Sequence, residues 1–247
     1  MNFTGIISQM DMKKVKLLDE NRLNLELENE GFKVCVLQEI ESTNSSLKAH
    51  LEQHHHGYVL VSEVQTKGRG RQERSFISNA SKGIYASFVW RMKFDPQQLR
   101  WFSLMLAKAI VNALNQSTAL DFKIKWPNDI YLENKKCGGI LIESEINPEQ
   151  TEVSLVCGFG INVYQQDFPT ELKDKVISIE DCCKHVLDRN ELLVEILREI
   201  NKQCLKPYQA HSKELYMQSC IIPHKWVNIQ QNREFFKAKL IGINDDA

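Results

Sequence analysis

A glycine- and arginine-rich segment is the part of this chain best suited to chemistry. Residues 65–71 read Gln-Thr-Lys-Gly-Arg-Gly-Arg and follow directly on a strand-like run at 57–64. The two glycines let several backbone N–H groups turn toward one point, and amides beside guanidinium groups favour a phosphate or a developing anion. The cations around that point are Lys67, Arg69, Arg71 and Arg74. A solvated basic surface loop is the alternative interpretation, because the segment has neither the closing Gly-Lys-Ser/Thr of a P-loop nor the helix-opening context of a dinucleotide fingerprint.

Three later segments carry lysine, glycine or amide side chains that suit the same kind of ligand. They are Lys-Trp-Pro-Asn-Asp at 125–129, Lys-Lys-Cys-Gly-Gly-Ile-Leu at 135–141 and Gly-Phe-Gly-Ile-Asn at 158–162. Lys136 precedes two glycines, so it can supply a counter-charge where a ligand anion comes close to the backbone. Each segment also has a purely structural explanation: a turn in the first, a glycine bulge in the second and close backbone packing in the third.

Ser42, Thr43 and Asn44 form a polar group at the predicted start of a short helix. Capping explains any one of them, but hydroxyl and free N–H groups at a helix start are also donors for a polar ligand. The three histidines at 54–56 favour a solvated loop over a metal site, because adjacent residues cannot all face one ion. No Ser/His/Asp triad is evident, so substrate positioning and charge neutralisation are favoured over covalent catalysis.

Composition limits the function further. The chain has 247 residues, 43% of them hydrophobic, and a formal net charge of -1. Proteins whose main work is coating nucleic acid are usually basic, so that class is disfavoured. The seven cysteines are odd in number and contain no Cys-x-x-Cys pair for a zinc knuckle. Neither a signal-like segment nor a run of membrane-spanning length is visible. We therefore expect a reduced, soluble, cytoplasmic protein with no membrane partner.

The predicted elements place these segments on a mixed sheet. Helical patterns occupy 11–29, 97–115 and 190–205, with a short helix after residue 42. Strands are predicted at 33–37, 58–64, 84–90, 122–126, 129–132, 139–146 and 151–157. Short connections at 133–135 and 147–149 require antiparallel neighbours, which disfavours a purely parallel sheet. Two further strands at 225–229 and 235–240 predict the start of a small, incomplete β domain, which divides the chain into 1–220 and 221–247.

Together these segments resemble the biotin–protein ligase family, the biotin–[acetyl-CoA-carboxylase] ligases. The resemblance is strong over residues 33–165 and rests on Ser-Thr-Asn at 42–44, Gly-Arg-Gly-Arg at 68–71, Lys-Trp-Pro-Asn-Asp at 125–129, Lys-x-Gly-Gly-Ile-Leu at 136–141 and Gly-x-Gly-Ile-Asn at 158–162. It implies an α+β (two-layer α/β) fold with a mixed, largely antiparallel central sheet and helices, similar to class II aminoacyl-tRNA synthetase catalytic domains. A small, partial SH3-like β domain is implied at the C-terminal end.

The resemblance implies an ATP-dependent ligase that works in two steps. The biotin carboxylate attacks the α-phosphorus of ATP and gives biotinyl-5′-AMP and pyrophosphate, with Mg²⁺ as activator and no tightly bound metal. A lysine amine of the acceptor then attacks the mixed anhydride, and AMP leaves. The implied acceptor is the biotin carboxyl carrier protein of acetyl-CoA carboxylase, a transient partner. The family includes monomers and dimers, and edge-to-edge sheet pairing is a route to a homodimer.

Roles for individual residues follow from the resemblance. The implied catalytic residues are Lys136, Arg69, Arg71 and Asp129, with Lys136 beside the reacting groups and Asp129 orienting Lys136 or the incoming amine. The implied biotin contacts are Ser42, Thr43, Asn44, Gln65, Gly68, Arg69, Gly70, Arg71, Lys136, Gly138, Gly139, Gly158 and Gly160. The implied nucleotide contacts are Arg71, Arg74, Phe76, Asn128 and Asn162. Trp90 and Trp126 are expected to wall the pocket, and residues 67–76 to be mobile and to close over the adenylate.

The chain departs from the family pattern in the glycine-rich segment. The family continues it as Gly-Arg-Gly-Arg-x-Gly-Arg-x-Trp, whereas here Glu73 replaces a glycine and Phe76 replaces the tryptophan. Glu73 adds a negative charge near the anion site, so loop closure or adenylate retention is expected to differ. About forty residues precede Ser42, a span too short for the winged helix of repressor-type members, so we expect no DNA binding. The alternatives are a lipoate–protein ligase-like enzyme, a nucleic-acid-binding module that uses the loop arginines, and a non-catalytic biotin-binding module.

Overall fold

The computed structural model describes most of the chain. The described residues are 16–72, 74–93, 95–146, 151–183, 187–205, 212–221, 226–231, 234–239 and 241–242. Glu73, the predicted turn at 147–149 and the first part of the predicted helix at 11–29 lie outside them. Expectations about those three features therefore stay predictions.

An eight-stranded sheet forms the centre of the protein. Its strands are Lys33–Ile40 (β1), Tyr58–Gln65 (β2), Gly83–Lys93 (β3), Lys123–Lys125 (β4), Asp129–Leu132 (β5), Lys135–Ile146 (β6), Glu152–Asn162 (β7) and Cys220–Ile221 (β8). They lie in the order β1-β2-β3-β7-β6-β5-β4-β8. Only the outer pairs β1–β2 and β4–β8 are parallel, and the neighbours between them are antiparallel. The prediction of a mixed, largely antiparallel sheet is confirmed.

In the described part of the chain, five α-helices pack around this sheet. They are Glu20–Glu26 (α1), Thr43–Ala49 (α2), Pro96–Thr118 (α3), Arg189–Cys204 (α4) and Ser212–Ser219 (α5). The even-numbered side chains of β3, such as Phe88 and Trp90, join α3 and α4 in the main hydrophobic core, whereas Val89 packs with Leu47 and Leu51 on the opposite face. This alternation is what the two-residue period of a strand requires. Among the residues that the structure describes, no helix is both long and apolar enough to cross a bilayer.

Some element boundaries differ from the prediction. Helix α1 begins only at Glu20, because the Asp19 side chain accepts a hydrogen bond from the Arg22 N–H and caps the helix there. Strand β6 begins at Lys135 rather than 139, so its glycines lie inside the strand. The connection between β5 and β6 is the predicted tight turn, with φ of 48° at Glu133 and 61° at Asn134. Helix α5 and strand β8 were not predicted, because both are too short to give a clear pattern.

A buried ion pair ties the start of α4 to the sheet. Arg189 Nη1 lies 2.8 Å from Glu63 Oε2 of β2, and neither side chain is more than 3% exposed. Arg189 also donates to the carbonyl oxygens of Lys16 and Gly83, and Glu63 accepts the N–H of Leu18. The segment before α1 is therefore fixed to the sheet through two side chains of opposite charge.

A two-stranded hairpin follows the main sheet. It consists of Trp226–Gln231 (β9) and Glu234–Lys239 (β10), which pair antiparallel in the region where two strands were predicted. Trp226 is 71% exposed and Phe235 is 73% exposed. The predicted boundary between a domain at 1–220 and a domain at 221–247 stays a prediction. Strand β8, which includes Ile221, belongs to the main sheet.

Candidate active site

A cavity of about 480 Å³ lies on the side of the sheet that carries α2. Gly158 and Gly160 face it from β7, while Cys157, Phe159 and Ile161 alternate with them and join the core on the other side. Fifteen of the predicted site residues line this cavity: Ser42, Thr43, Asn44, Gln65, Arg69, Gly70, Arg71, Arg74, Phe76, Asn128, Asp129, Lys136, Gly139, Gly158 and Gly160. Residues from five separated segments of the chain thus meet in one place.

Four residues predicted to be at the site lie elsewhere. Gly138 faces the core side of β6, where a Cβ would meet Ile161 Cδ1 at 2.7 Å. Gly68 lies behind the cavity, packed against Phe76 and Ser78. Asn162 donates its side-chain N–H to Ile177 O at 3.3 Å. Trp90 is buried in the core against Phe88 and Phe102, and so does not wall the cavity, whereas Trp126 lines it and is 44% exposed. The contacts of Gly68, Gly138 and Asn162 with ligands stay predictions.

One end of the cavity carries a network of neutral hydrogen-bonding groups. Gln65 Oε1 accepts the backbone N–H of Thr43 at 2.8 Å and lies 3.1 Å from its hydroxyl, while Gln65 Nε2 donates to Ser78 Oγ. The Thr43 hydroxyl also lies 2.7 Å from Ser87 Oγ, which donates to Asn44 Oδ1 at 2.6 Å. All of these groups except Gln65 belong to residues that are nearly fully buried.

Ser87 is a site residue that sequence analysis missed. It is 1% exposed, lines the cavity from β3 and pairs in register with Gly158 of β7. A Cβ at position 158 would lie 3.1 Å from Ser87 Oγ and would collide with Asn44 Oδ1. A serine inside an apolar strand has no local signature. The only available signal was a polar residue at a position where the strand pattern predicts burial.

The other end of the cavity carries charged groups. Lys136 Nζ lies 2.6 Å from Asp129 Oδ1, so the predicted pairing of these residues is present. The backbone of Lys136 is held by a segment that was not predicted to be near it, because its N–H donates to Lys175 O and its carbonyl accepts from Ile177 N. A β-bulge between β5 and β6 leaves Cys137 without a cross-strand partner, so the pairing passes from Ile130–Gly138 to Tyr131–Lys136. These backbone contacts fix the Cα position of Lys136 at the edge of the cavity.

Arg71 reaches the same end from the glycine loop, residues 66–78. Its Nη1 donates to Asn128 Oδ1 at 3.3 Å, and Asn128 Nδ2 donates to Ile140 O at 2.8 Å. Asn128 therefore presents an acceptor held by β6. Among the described residues, no carboxylate lies within ion-pair distance of Arg71, so its charge is not neutralised by the described part of the protein.

The glycine loop forms a hairpin over the cavity. Phe76 N donates to Gly68 O at 2.8 Å, and Gly70 N donates to Arg74 O at 2.7 Å. The Phe76 ring contacts Tyr85 edge to face at 6.3 Å between centroids, and a Cβ at Gly160 would meet the ring at 2.5 Å. The phenyl group thus fills the space that glycine leaves open. The expected opening of this loop without ligand stays a prediction.

Arg69 points away from Arg71 and contacts a carboxylate. Its Nη1 lies 3.1 Å from Glu143 Oε2 of β6 and donates to Ser45 Oγ at 3.2 Å. Burial alone would raise the pKa of Glu143, but hydrogen bonds and charge from Lys48, Asn44 and Arg69 outweigh it and hold the pKa below its ordinary value. Glu143 therefore stays ionised and holds the side chains of Arg69 and Asn44, which line the cavity.

The three histidines are packed rather than fully solvated. The His54 ring stacks on Tyr58 at 4.1 Å, and His56 Nδ1 accepts the backbone N–H of Arg91 while its ring packs on Trp90. Burial lowers the pKa of His56. Only His55 is exposed, so the prediction of a solvated loop was wrong for the other two. Within the described ranges, no cluster of three or more His, Cys, Asp or Glu side chains could hold a metal ion.

Comparison with known proteins places this site in a family. A sequence model of the biotin/lipoate A/B protein ligase family matches residues 36–162. The bifunctional ligase/repressor BirA of Bacillus subtilis is 34% identical over 157 residues, which are 63% of this chain and 48% of that protein, so the chain spans about half of that relative's length. The biotin–[acetyl-CoA-carboxylase] ligase of Mycobacterium tuberculosis is 30% identical over 76% of this chain and 71% of its own length.

Solved structures give the same result for the fold. The biotin protein ligase of Aquifex aeolicus, in complex with biotin and ATP, superposes with a TM-score of 0.71 at 30% identity and covers 86% of this chain and 88% of its own. A biotin protein ligase from Leishmania major, solved with biotinyl-5-AMP, gives a TM-score of 0.65 at 18% identity. By sequence and fold, the chain belongs to the biotin/lipoate A/B protein ligase family.

Proposed function

We propose that this protein is an ATP-dependent biotin–protein ligase, which forms biotinyl-5′-AMP and transfers biotin to a lysine of a carrier protein. The observation that carries the proposal is a cavity with neutral hydrogen-bonding groups at one end and cations at the other. Gly158, beside the neutral end, and Gly160, paired with Gly139 beside Lys136, are two residues apart on β7. That separation is about 7 Å. The cavity therefore suits a short ligand with a polar neutral head and an acidic tail.

The neutral end fits a cyclic urea head. Ser87 has one hydroxyl proton, which it gives to Asn44 Oδ1, so the Thr43 hydroxyl is the donor in their mutual hydrogen bond. A single Thr43 proton cannot also fully serve Gln65 Oε1, which retains acceptor capacity for a ligand N–H. Gln65 Oε1 already accepts the Thr43 N–H, and its second lone pair lets a ligand that supplies an N–H form one more hydrogen bond here.

The charged end suits the transfer of an adenylyl group. Attack of the biotin carboxylate on the α-phosphorus of ATP forms the C–O–P linkage, and pyrophosphate leaves with its electron pair. Negative charge builds up on the phosphorus oxygens, and Lys136 and Arg71 are placed to hold it at fixed positions. Asp129 orients the Lys136 ammonium group. Phe76, Arg74 and Asn128 are the proposed nucleotide contacts.

Mg²⁺ is proposed to enter with ATP. Magnesium in nucleotide sites is typically held by phosphate oxygens, water and one or two carboxylates. The described residues offer no cluster of three acidic or imidazole ligands, and Asp129 is engaged with Lys136. We propose that the triphosphate carries the ion into the site. Bound in that way, Mg²⁺ would neutralise charge on the phosphates.

In the second step the acceptor lysine amine attacks the acyl carbon of the adenylate. The nitrogen–carbon bond forms, the carbon–oxygen bond to AMP breaks, and the amine loses a proton. Asp129 lies beside the reacting position and is the proposed group that orients the amine. The proposed acceptor is the biotin carboxyl carrier protein of acetyl-CoA carboxylase. A homodimer and a cytoplasmic location are proposed with it and rest on the sequence alone.

Biotin-dependent exchange between ATP and pyrophosphate tests the proposal. We expect exchange with biotin, none without it, and at most weak exchange with lipoate. Mass spectrometry of the bound product should detect biotinyl-5′-AMP. If lipoate supported exchange and biotin did not, the proposed substrate would be wrong. Tight biotin binding without AMP formation would identify a non-catalytic biotin-binding protein.

A further inference from the structure

The two arginines that flank Gly70 have different electrostatic surroundings. Arg71 contacts a neutral amide, Asn128 Oδ1. Arg69 instead contacts both carboxylate oxygens of Glu143, at 3.1 and 3.4 Å. A guanidinium group that is already paired with a carboxylate is a weaker ligand for a second anion, because part of its charge is neutralised. The charge available to an acyl-phosphate therefore belongs to Arg71 more than to Arg69.

Glu143 joins three elements around the cavity. It lies on β6, and its carboxylate accepts from Asn44 Nδ2 at 3.2 Å and from Lys48 Nζ at 3.0 Å, both on α2. Arg69 adds the glycine loop to this group. The Glu143 side chain is only 14% exposed, so these contacts are screened less by solvent than a surface ion pair would be.

We infer that Glu143 is a positioning residue of the active site, which holds the glycine loop over the cavity through Arg69 and holds the Asn44 amide toward Ser87. Arg69 acts in this arrangement as the attachment point of the loop, and Arg71 as the cation that meets the acyl-phosphate. The inference deepens the proposed function and rests on it for the identity of the ligand. The contact between Glu143 and the loop exists without any ligand, and it can therefore be tested separately.

Hydrogen exchange of the ligand-free protein is the first test. Glu143→Gln keeps the size and an acceptor for Asn44 but removes the charge that pairs with Arg69. We expect amide exchange in residues 66–78 to be roughly threefold to fivefold faster, since a partly exposed ion pair adds modestly to local stability. Arg69→Gln should have the same effect, and the double variant should be no faster than either single variant.

Lys48→Met is the matched control. It removes the other cation paired with Glu143 but leaves the link to the loop, so loop exchange should match that of the unmodified protein. Unchanged loop exchange in Glu143→Gln, or effects that add in the double variant, would overturn the inference. If Glu143→Gln does not fold, Arg69→Gln still tests the inference, because Arg69 lies on the exposed loop. Loop exchange in Arg69→Gln equal to that of the unmodified protein would overturn the inference.

Retention of the adenylate is the second test. The rate at which biotinyl-5′-AMP leaves the protein should rise in Glu143→Gln by about the same factor as loop opening, with an unchanged melting temperature. If Glu143 had a purely structural role, Glu143→Gln would lower the melting temperature, and the increase in the release rate would differ from the increase in loop exchange. If the unmodified protein makes no adenylate, the proposed function fails, whereas the exchange experiment still tests the role of Glu143.

Discussion

Replacement of Lys136 by methionine should separate catalysis from stability. The side chain is paired with Asp129 at 2.6 Å, but the two side chains are 34% and 27% exposed. Ion pairs in such positions contribute about 0–1 kcal/mol to stability. Methionine keeps most of the aliphatic stem, and the backbone of Lys136 stays hydrogen-bonded to Lys175 and Ile177. We therefore expect a change of about 1 kcal/mol or less in the free energy of unfolding.

The effect on the reaction should be much larger. Removal of one fixed group that stabilises charge in a transition state costs about 2.7–4 kcal/mol, or roughly 100- to 1000-fold in rate. Biotin binding should change less, because the proposed contacts of the neutral head of the ligand are Thr43 and Gln65, which lie on other elements. The assay is biotin-dependent ATP–pyrophosphate exchange, with biotin affinity measured by calorimetry and stability by urea unfolding.

Lys135→Met provides a control in the same strand. Lys135 precedes Lys136 in β6 and its Nζ contacts Lys173 O, and it is absent from the cavity lining. We expect exchange activity close to that of the unmodified protein. The reasoning would be refuted if Lys136→Met lost less than about fivefold in exchange rate, or if Lys135→Met lost as much.

Three further changes should give distinct results. Gly158→Ala places a methyl group against the buried Asn44 side chain and should weaken biotin binding measured by calorimetry by about tenfold or more; it should also lower the melting temperature, because Asn44 must shift to make room. Gly57→Ala should destabilise the protein more than Gly31→Ala in urea unfolding: both residues have positive φ, but only at Gly57 would the new Cβ collide with a backbone oxygen. For Asp188, burial would raise the pKa, but hydrogen bonds from basic and amide groups lower it to about 2. The contribution of Asp188 to stability should therefore be complete above its pKa in the unfolded chain, near pH 4, and should disappear as the pH falls through 2. The difference in the free energy of unfolding between Asp188→Asn and the unmodified protein should shrink over that range.

Sequence patterns predicted the structure correctly where it depends on residues that are close together in the chain. The turn at Glu133 and Asn134 follows from residues that tolerate positive φ. Ser42 caps α2, as serine before a helical segment predicts. The five motif segments could be assigned to one site because each carries glycines, cations or small polar side chains suited to a polar or anionic ligand, and fifteen of their residues line the same cavity.

Contacts between residues distant in sequence could not be predicted in this way. Arg189 and Glu63 are 126 positions apart, and nothing near either residue specifies the other. Glu143 contacts Arg69 across 74 positions, in a strand where a charged residue fits a solvated face equally well. The segment at 175–177 reaches Lys136 through backbone hydrogen bonds, which depend on no particular side chain. Such pairings are determined by the packed fold and leave no periodic pattern in the sequence.

Strand β7 shows how one short segment serves both stability and binding. Cys157, Phe159 and Ile161 are at most 4% exposed and belong to the core against α3 and α4. Gly158 and Gly160, between them, leave space on the opposite face for Asn44, Phe76 and a ligand. A slip of one residue in register would put the apolar side chains into the cavity and the glycines into the core, so the core face fixes the position of the binding face. Changes at 158 and 160 should therefore affect binding through the cavity, whereas truncation of Phe159 or Ile161 should affect stability through lost core volume.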